Sequence, residues 1–122
     1  MMSILLVIAG LMGAGGIVLS AAGTHAYPGA GLDTAGQILL FHAAAILGVS
    51  AAIDRGLLSR ALGLLSAWGL VIGSLLFAGD VSLPIYAGVG LFPKAAPTGG
   101  IILIASWIAT AVAAATPPAR AA

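Results

Sequence analysis

Four stretches of about 20 mostly apolar residues limit the fold of this chain more than any other feature. The hydrocarbon core of a bilayer is about 30 Å thick, and an α-helix of about 20 residues crosses it. Charged residues make up 6% of the chain, whereas a soluble domain carries about 25%, so the folded chain could not cover a surface that faces water. The sequence therefore predicts an all-α, four-transmembrane-helix bundle, an integral membrane protein with one domain over its 122 residues.

The ends of these stretches are marked by turn residues. The predicted spans are residues 3–24, 34–53, 59–79 and 98–115. The polar turn Asp54-Arg55-Gly56 separates the second span from the third. A single helix over residues 59–90 would be about 48 Å long, and Asp80 and Pro84 interrupt it. We therefore expect the third span to end at residue 79 and segment 80–97 to be broken or interfacial.

The orientation follows from the few basic residues. No Lys or Arg precedes the first apolar stretch, so it lacks the positive start of a signal peptide and is interpreted as a span. Four spans then place Arg55, Arg60 and Arg120 on one side and Lys94 on the other. Because positive charge favours the cytoplasmic side, we expect both termini to be cytoplasmic.

Small residues at helical spacing predict close packing between helices. Gly69 and Gly73 form a GxxxG motif, and Gly16 and Ser20 form a similar small-xxx-small pair. Such residues let two backbones approach inside a membrane, where apolar side chains alone gain little by leaving lipid. The candidate helix-packing residues are Gly13, Gly16, Gly48, Gly69, Gly73, Gly99 and Gly100.

Four polar residues within or beside the spans are the candidate functional positions: His42, His25, Gln37 and Asp80. His42 lies in the middle of the second span, where a polar side chain is costly unless it faces protein or water. A helical projection places Gln37, Ala44, Gly48 and Ala51 on one face, which we expect to pack in the bundle, and His42 roughly opposite. Either His42 then meets a protein partner, or the bundle surrounds it from the bulky side.

The chemistry open to these residues is limited. The simplest interpretation is a neutral His42 imidazole that is hydrogen-bonded to a serine, a threonine or a carbonyl group on a neighbouring helix. A proton relay and cofactor ligation, for example of haem, are the alternatives. At the outer end, His25 and Asp80 are expected to pair, or else to form an entry site for protons or a cation. We expect no metal site and no cofactor, since the two histidines lie at different depths and cysteine is absent. No catalytic constellation is recognisable, so we expect no enzyme, and the net charge of +1 argues against nucleic-acid binding.

An ordered set of short motifs resembles a known family. These motifs are Gly23-x-His25, Phe41-His42-Ala43, Phe77-x-Gly79, and Pro97-x-Gly99-Gly100 followed by Trp107. Together they resemble the domain-of-unknown-function 423 family, whose eukaryotic relatives are called transmembrane protein 256. The resemblance covers essentially the whole chain, although Ala26 replaces a usual glycine and Asp80 departs from the family pattern.

The resemblance implies four transmembrane helices in a bacterial inner membrane or a mitochondrion, and no established activity. Two functions remain for a multi-pass protein of the bacterial inner membrane. The first is a structural or interaction protein that forms a homo-oligomer or an accessory subunit of a membrane complex. The second is a small channel or carrier for protons, cations or a small solute, with polar residues that converge on one path. The opposite faces of Gln37 and His42 favour the first.

Overall fold

The computed structural model describes residues 2–119 and confirms an all-helical fold with four helices. Each helix is long and apolar enough to cross a membrane. The helices are α1 (Met2–His25), α2 (Leu32–Asp54), α3 (Arg60–Tyr86) and α4 (Ala95–Ala115). The chain is therefore a small multi-pass membrane protein.

The third helix does not end where the sequence predicted. It continues through Gly79, Asp80 and Pro84 to Tyr86, so its 27 residues extend for about 40 Å. Pro84 lies in the last turn, where it removes only one backbone donor before the helix stops. Because a hydrocarbon core is about 30 Å thick, the extra turns reach beyond it or tilt the helix. Only residues 87–94 leave the helix before α4 begins.

The fourth helix begins three residues earlier than predicted, at Ala95 instead of Thr98. Pro97 thus lies inside its first turn. Backbone N–H groups of a first turn have no partner within the helix, so a proline there sacrifices no hydrogen bond. The residue before the helix, Lys94, adopts a left-handed backbone conformation with φ 64°.

The helices pack in chain order, α1 on α2, α2 on α3 and α3 on α4. Within residues 2–119, no comparable packing joins α1 to α4, so these two helices form the outer edges. The buried apolar core is densest on α2 and α3, and includes Leu39, Ala43, Ile46, Val49, Ala67, Leu70 and Val71. His42 lies on α2, which packs against both α1 and α3.

Two glycine crossings hold the hairpins together. In the first hairpin, a Cβ added to Gly16 would lie 2.8 Å from the backbone oxygen of Gly36. In the second, a Cβ added to Gly99 would lie 2.6 Å from the backbone oxygen of Gly73. Backbones this close gain dispersion contacts that larger residues would prevent. Both α2 and α4 thus meet their hairpin partner four residues after they begin.

The predicted helix-packing glycines divide into two groups. Five of them lie against a neighbouring helix, namely Gly13, Gly16, Gly69, Gly73 and Gly99. A Cβ added to Gly48 or Gly100 would meet nothing within 4 Å. The expectation that these two pack inside the bundle is therefore corrected, because both point away from the other described helices. Three close-packed glycines were missed by the sequence prediction: Gly23, Gly36 and Gly63.

Candidate functional site

His42 joins two helices that otherwise share little contact. It is buried, with 7% of its surface exposed. Its Nδ1 lies 2.7 Å from the carbonyl oxygen of Ile38 on its own helix. The indole Nε1–H of Trp107, on α4, donates to its Nε2 over 3.1 Å, and the two rings meet edge to face.

The hydrogen-bond partners of His42 determine which of its ring nitrogens carries the proton. An indole N–H can only donate, so Nε2 must accept and carries no proton. A carbonyl can only accept, so Nδ1 carries the proton and donates to Ile38. The imidazole of His42 is therefore neutral in this arrangement, with both of its nitrogens hydrogen-bonded. This agrees with the simplest interpretation of the sequence, except that the cross-helix partner is an indole instead of a hydroxyl or carbonyl group.

The packing face of α2 is the reverse of the predicted one. Ile46 and Val49, on the same side as His42, are buried, whereas Ala44 and Gly48 are exposed. The second alternative, in which the bundle surrounds His42 from the bulky side, is thus the observed one. The reason is that the neighbouring helices supply the small residues.

Glycines of α1 and α3 receive the bulky side of α2. A Cβ added to Gly15 on α1 would lie 3.9 Å from the side chain of Leu39, on the His42 side of α2. A Cβ added to Gly63 on α3 would lie 2.7 Å from the side chain of Ile53. Large residues of one helix therefore fill the space above glycines of the next, as in ridge-into-groove packing. A projection of α2 alone contains no information about that space.

The other candidate polar residues do not converge on His42. Gln37 is exposed on the outer side of α2, and His25 is exposed in the last turn of α1. Asp80 accepts a hydrogen bond of 3.1 Å from the backbone N–H of Ala96 in the first turn of α4. The predicted pairing of Asp80 with His25 is therefore corrected: the carboxylate caps a neighbouring helix.

We expect Asp80→Ala to destabilise the second hairpin by about 1 kcal/mol, the usual effect of losing an N-terminal helix cap. The carboxylate satisfies a free N–H of Ala96 and lies at the positive end of the α4 dipole. Thermal unfolding in detergent, followed by circular dichroism, measures the effect. Asp80→Asn keeps an acceptor oxygen and should lose less. Equal losses for the alanine and asparagine variants would contradict the capping role.

A hydroxyl cluster between α3 and α4 was missed by the sequence prediction. The hydroxyl of Ser66 donates to the carbonyl of Ser106 over 3.0 Å and contacts the hydroxyl of Thr110. Thr110 also donates to the carbonyl of Ser106 over 3.0 Å. Ser106 and Thr110 are four residues apart, so they share one helix face. That spacing was the available signal, and the cluster links the two helices without a charged group.

Metal binding has no support in the residues that the structure describes. Over residues 2–119, no group of three or more His, Cys, Asp or Glu side chains is placed to hold a metal ion. A haem or metal at His42 would first have to displace the indole of Trp107 from Nε2. In the structure, Nε2 of His42 instead accepts the hydrogen bond that joins α2 to α4.

Comparison with known proteins gives one match. The model of the family described as "Protein of unknown function (DUF423)" matches residues 19–100. This range includes α2, α3 and the start of α4. No curated protein and no solved structure matches the chain.

Proposed function

Because the chain belongs to the DUF423 family, whose description assigns no activity, we propose a function from the surface that its own helices leave uncovered. It is a structural membrane protein that forms a homo-oligomer through the exposed side of α2. The oligomer is built from two copies that place these helices side by side. A different membrane subunit on the same surface is the alternative partner.

The exposed stripe of α2 carries this proposal. It consists of Gln37, Phe41, Ala44, Gly48 and Ala51, which are all exposed and which we call the α2 stripe. Their spacing alternates between four and three residues, the pattern that packs two helices at a small crossing angle. Ala44 and Gly48 form a small-xxx-small pair of the kind that membrane helices use for close association.

Gln37 places an amide on the exposed surface of α2 that needs a hydrogen-bond partner. It lies five residues after the start of α2, about 7.5 Å along the helix axis. An exposed amide at that depth either faces lipid, at a cost, or bonds to another helix. An amide both donates and accepts, so two Gln37 side chains can satisfy each other across a two-fold axis normal to the membrane.

The exposed faces of α1 and α4 carry no amide, although α1 also exposes the small residues Gly10 and Ala14. On α1 the exposed side chains include Val7, Leu11 and Val18, and on α4 they include Ile101 and Ile108. Large aliphatic side chains suit contact with lipid tails. The α2 stripe is thus the exposed surface whose small and polar residues best suit another helix.

Cysteine cross-linking tests the proposal directly, because the natural chain contains no cysteine. We expect Ala44→Cys and Gly48→Cys to give covalent dimers in isolated membranes treated with a mild oxidant. A disulfide requires Cα atoms about 4.4–6.8 Å apart, a separation that small residues at a helix crossing allow. Gly10→Cys is the matched control, since Gly10 is also exposed with nothing within 4 Å of an added Cβ.

Each outcome separates the alternatives. Dimers from the two α2 variants but not from Gly10→Cys support self-association through the stripe. A cross-link from Gly48→Cys to a different protein supports the accessory-subunit role instead. Dimers from Gly10→Cys alone would move the interface to α1, and uniformly monomeric variants would contradict an oligomer.

The polar residues support packing over transport. A solute path needs polar groups that converge, but Gln37 points outward and His42 is bonded to Trp107 and to its own helix. Asp80 is held as the cap of α4. These separate partners favour a structural protein over a channel, carrier or enzyme. Proton or solute flux that the purified protein supports in liposomes, and that His42→Ala abolishes without loss of assembly, would reverse this choice.

We also propose a bacterial inner-membrane location with both termini cytoplasmic. Arg55 and Arg60 flank the turn between α2 and α3, and Lys94 lies at the opposite end of the helices, before α4. Arg120, the third basic residue expected on the cytoplasmic side, lies outside the described residues. The excess of arginine at one end supports this orientation.

A further inference from the structure

A crevice opens between the start of α1 and the end of α2. Its volume is about 320 Å³. It is lined by Met2, Ser3, Leu6, Ser50, Ala51 and Asp54. The α1 side therefore offers the hydroxyl of Ser3 between two apolar side chains, and the α2 side offers the hydroxyl of Ser50 and the carboxylate of Asp54. The crevice lies at the ends of membrane-spanning helices, the depth at which lipid headgroups meet acyl chains.

Ser50 gives this crevice a polar group without a partner. It is 2% exposed, and within residues 2–119 its Oγ accepts and donates no hydrogen bond. Serines and threonines in helices commonly bond to the carbonyl four residues earlier. Five such residues do so here: Thr24, Ser82, Ser106, Thr110 and Thr116. Ser50 lacks this bond, as do Ser20 and Ser74, but of these three serines it is Ser50 that lines the crevice. A buried hydroxyl without a partner is costly.

The start of α1 supplies a second kind of polar group. The first N–H groups of a helix have no partner within it and lie at the positive end of its dipole. Met2 and Ser3 belong to this first turn and line the crevice. Such helix starts bind phosphate. The crevice thus combines donors for an anion with the Asp54 carboxylate, an acceptor for a cation.

We propose that this crevice binds the headgroup of an ethanolamine phospholipid. The phosphate lies against the first turn of α1, and the primary ammonium donates to Asp54 and to the Oγ of Ser50. Leu6 contacts the first methylene groups of the lipid. The volume is at the lower end of the range for ligand sites, which suits a headgroup held while its acyl chains remain in the bilayer.

Hydrogen-bond chemistry distinguishes this lipid from its close relatives. A primary ammonium has three N–H donors, whereas the quaternary ammonium of choline has none. A glycerol headgroup carries no positive charge to pair with Asp54. Selectivity for ethanolamine over both is therefore the signature of the site, and it does not depend on self-association through the α2 stripe.

Native mass spectrometry from lipid nanodiscs tests this proposal. The full chain is placed in an equimolar mixture of phosphatidylethanolamine, phosphatidylcholine and phosphatidylglycerol with identical acyl chains. We expect retained phosphatidylethanolamine to exceed each of the others by about tenfold, since hydrogen bonds to charged groups are among the stronger ones. Asp54→Asn and Ser50→Ala should each abolish most of this preference. Asp33→Asn, an exposed acidic residue at the other end of α2, should leave it unchanged.

Three results would contradict the proposal. Equal retention of the three lipids by the natural chain would show that the crevice does not select a headgroup. Preferential retention of phosphatidylglycerol would show that anion binding at the start of α1 dominates. Circular dichroism of each variant verifies that the helices remain intact, and a preference that survives in folded Asp54→Asn would also exclude the assigned role of the carboxylate.

Discussion

Gly99→Ala should destabilise the protein strongly, while Gly100→Ala at the next residue should not. A Cβ at Gly99 would lie 2.6 Å from the backbone oxygen of Gly73 and 2.9 Å from the backbone nitrogen of Phe77. Backbone atoms cannot rotate away as side chains can, so α3 and α4 must separate. Overpacking of this kind costs about 1–3 kcal/mol or more.

Gly100 provides a closely matched control. A Cβ there would meet nothing within 4 Å, so Gly100→Ala should be neutral or stabilise the helix by up to about 1 kcal/mol through its higher helix propensity. Both substitutions add one methyl group to the same turn of α4. Unfolding by denaturing detergent, followed by circular dichroism, compares their free energies. Similar stability for the two variants would contradict the close Gly73–Gly99 crossing.

The second large effect is expected at His42. His42→Phe keeps an aromatic ring but removes the acceptor for Trp107 and the donor to Ile38. We expect a loss of about 1–2 kcal/mol, near the upper range for hydrogen bonds between membrane helices. The indole N–H of Trp107 then loses its acceptor, the Nε2 atom of His42. His42→Gln should recover part of the loss, because its side-chain oxygen can accept from the indole.

A double-mutant cycle isolates the bond itself. Trp107→Phe removes the donor, and the loss from the double variant His42→Phe/Trp107→Phe should be smaller than the sum of the two single losses. A spectroscopic signal accompanies it. In a Trp68→Phe background the remaining indole is Trp107, and its emission should shift to the blue when His42→Phe removes its partner. Additive losses with an unchanged emission would argue against the bond.

The bond between His42 and Trp107 gives the resemblance motifs a structural meaning. The motifs Phe41-His42-Ala43 and Trp107 lie in separate predicted spans, and His42 and Trp107 are 65 residues apart in the chain. The structure joins them in one hydrogen bond across α2 and α4. Gly99, from another of these motifs, lies at the second glycine crossing. Several of the motif residues are thus explained by helix packing.

Composition and hydropathy were enough to predict the number of helices and their approximate positions. In a bilayer every backbone N–H and C=O must be bonded within the protein, and a helix of about 20 apolar residues achieves this within one segment. The errors arose at Gly79 and Pro97, where residues that commonly end helices are tolerated within α3 and the first turn of α4. Local propensity is a weak guide near helix ends.

The sequence by itself determined that this is a multi-pass helical membrane protein and that His42 must meet polar partners, because charge and hydropathy belong to the residues alone. Which face of α2 packs was decided only by the tertiary structure. The helical projection predicted that the face of α2 with small residues packs in the bundle. In the structure, glycines on α1 and α3 instead pack against its bulky face. Packing depends on the complementary shapes of two surfaces, and a single helix specifies only one of them. For the same reason, the pairing of His42 with Trp107 and of Asp80 with Ala96 became visible only in the folded chain.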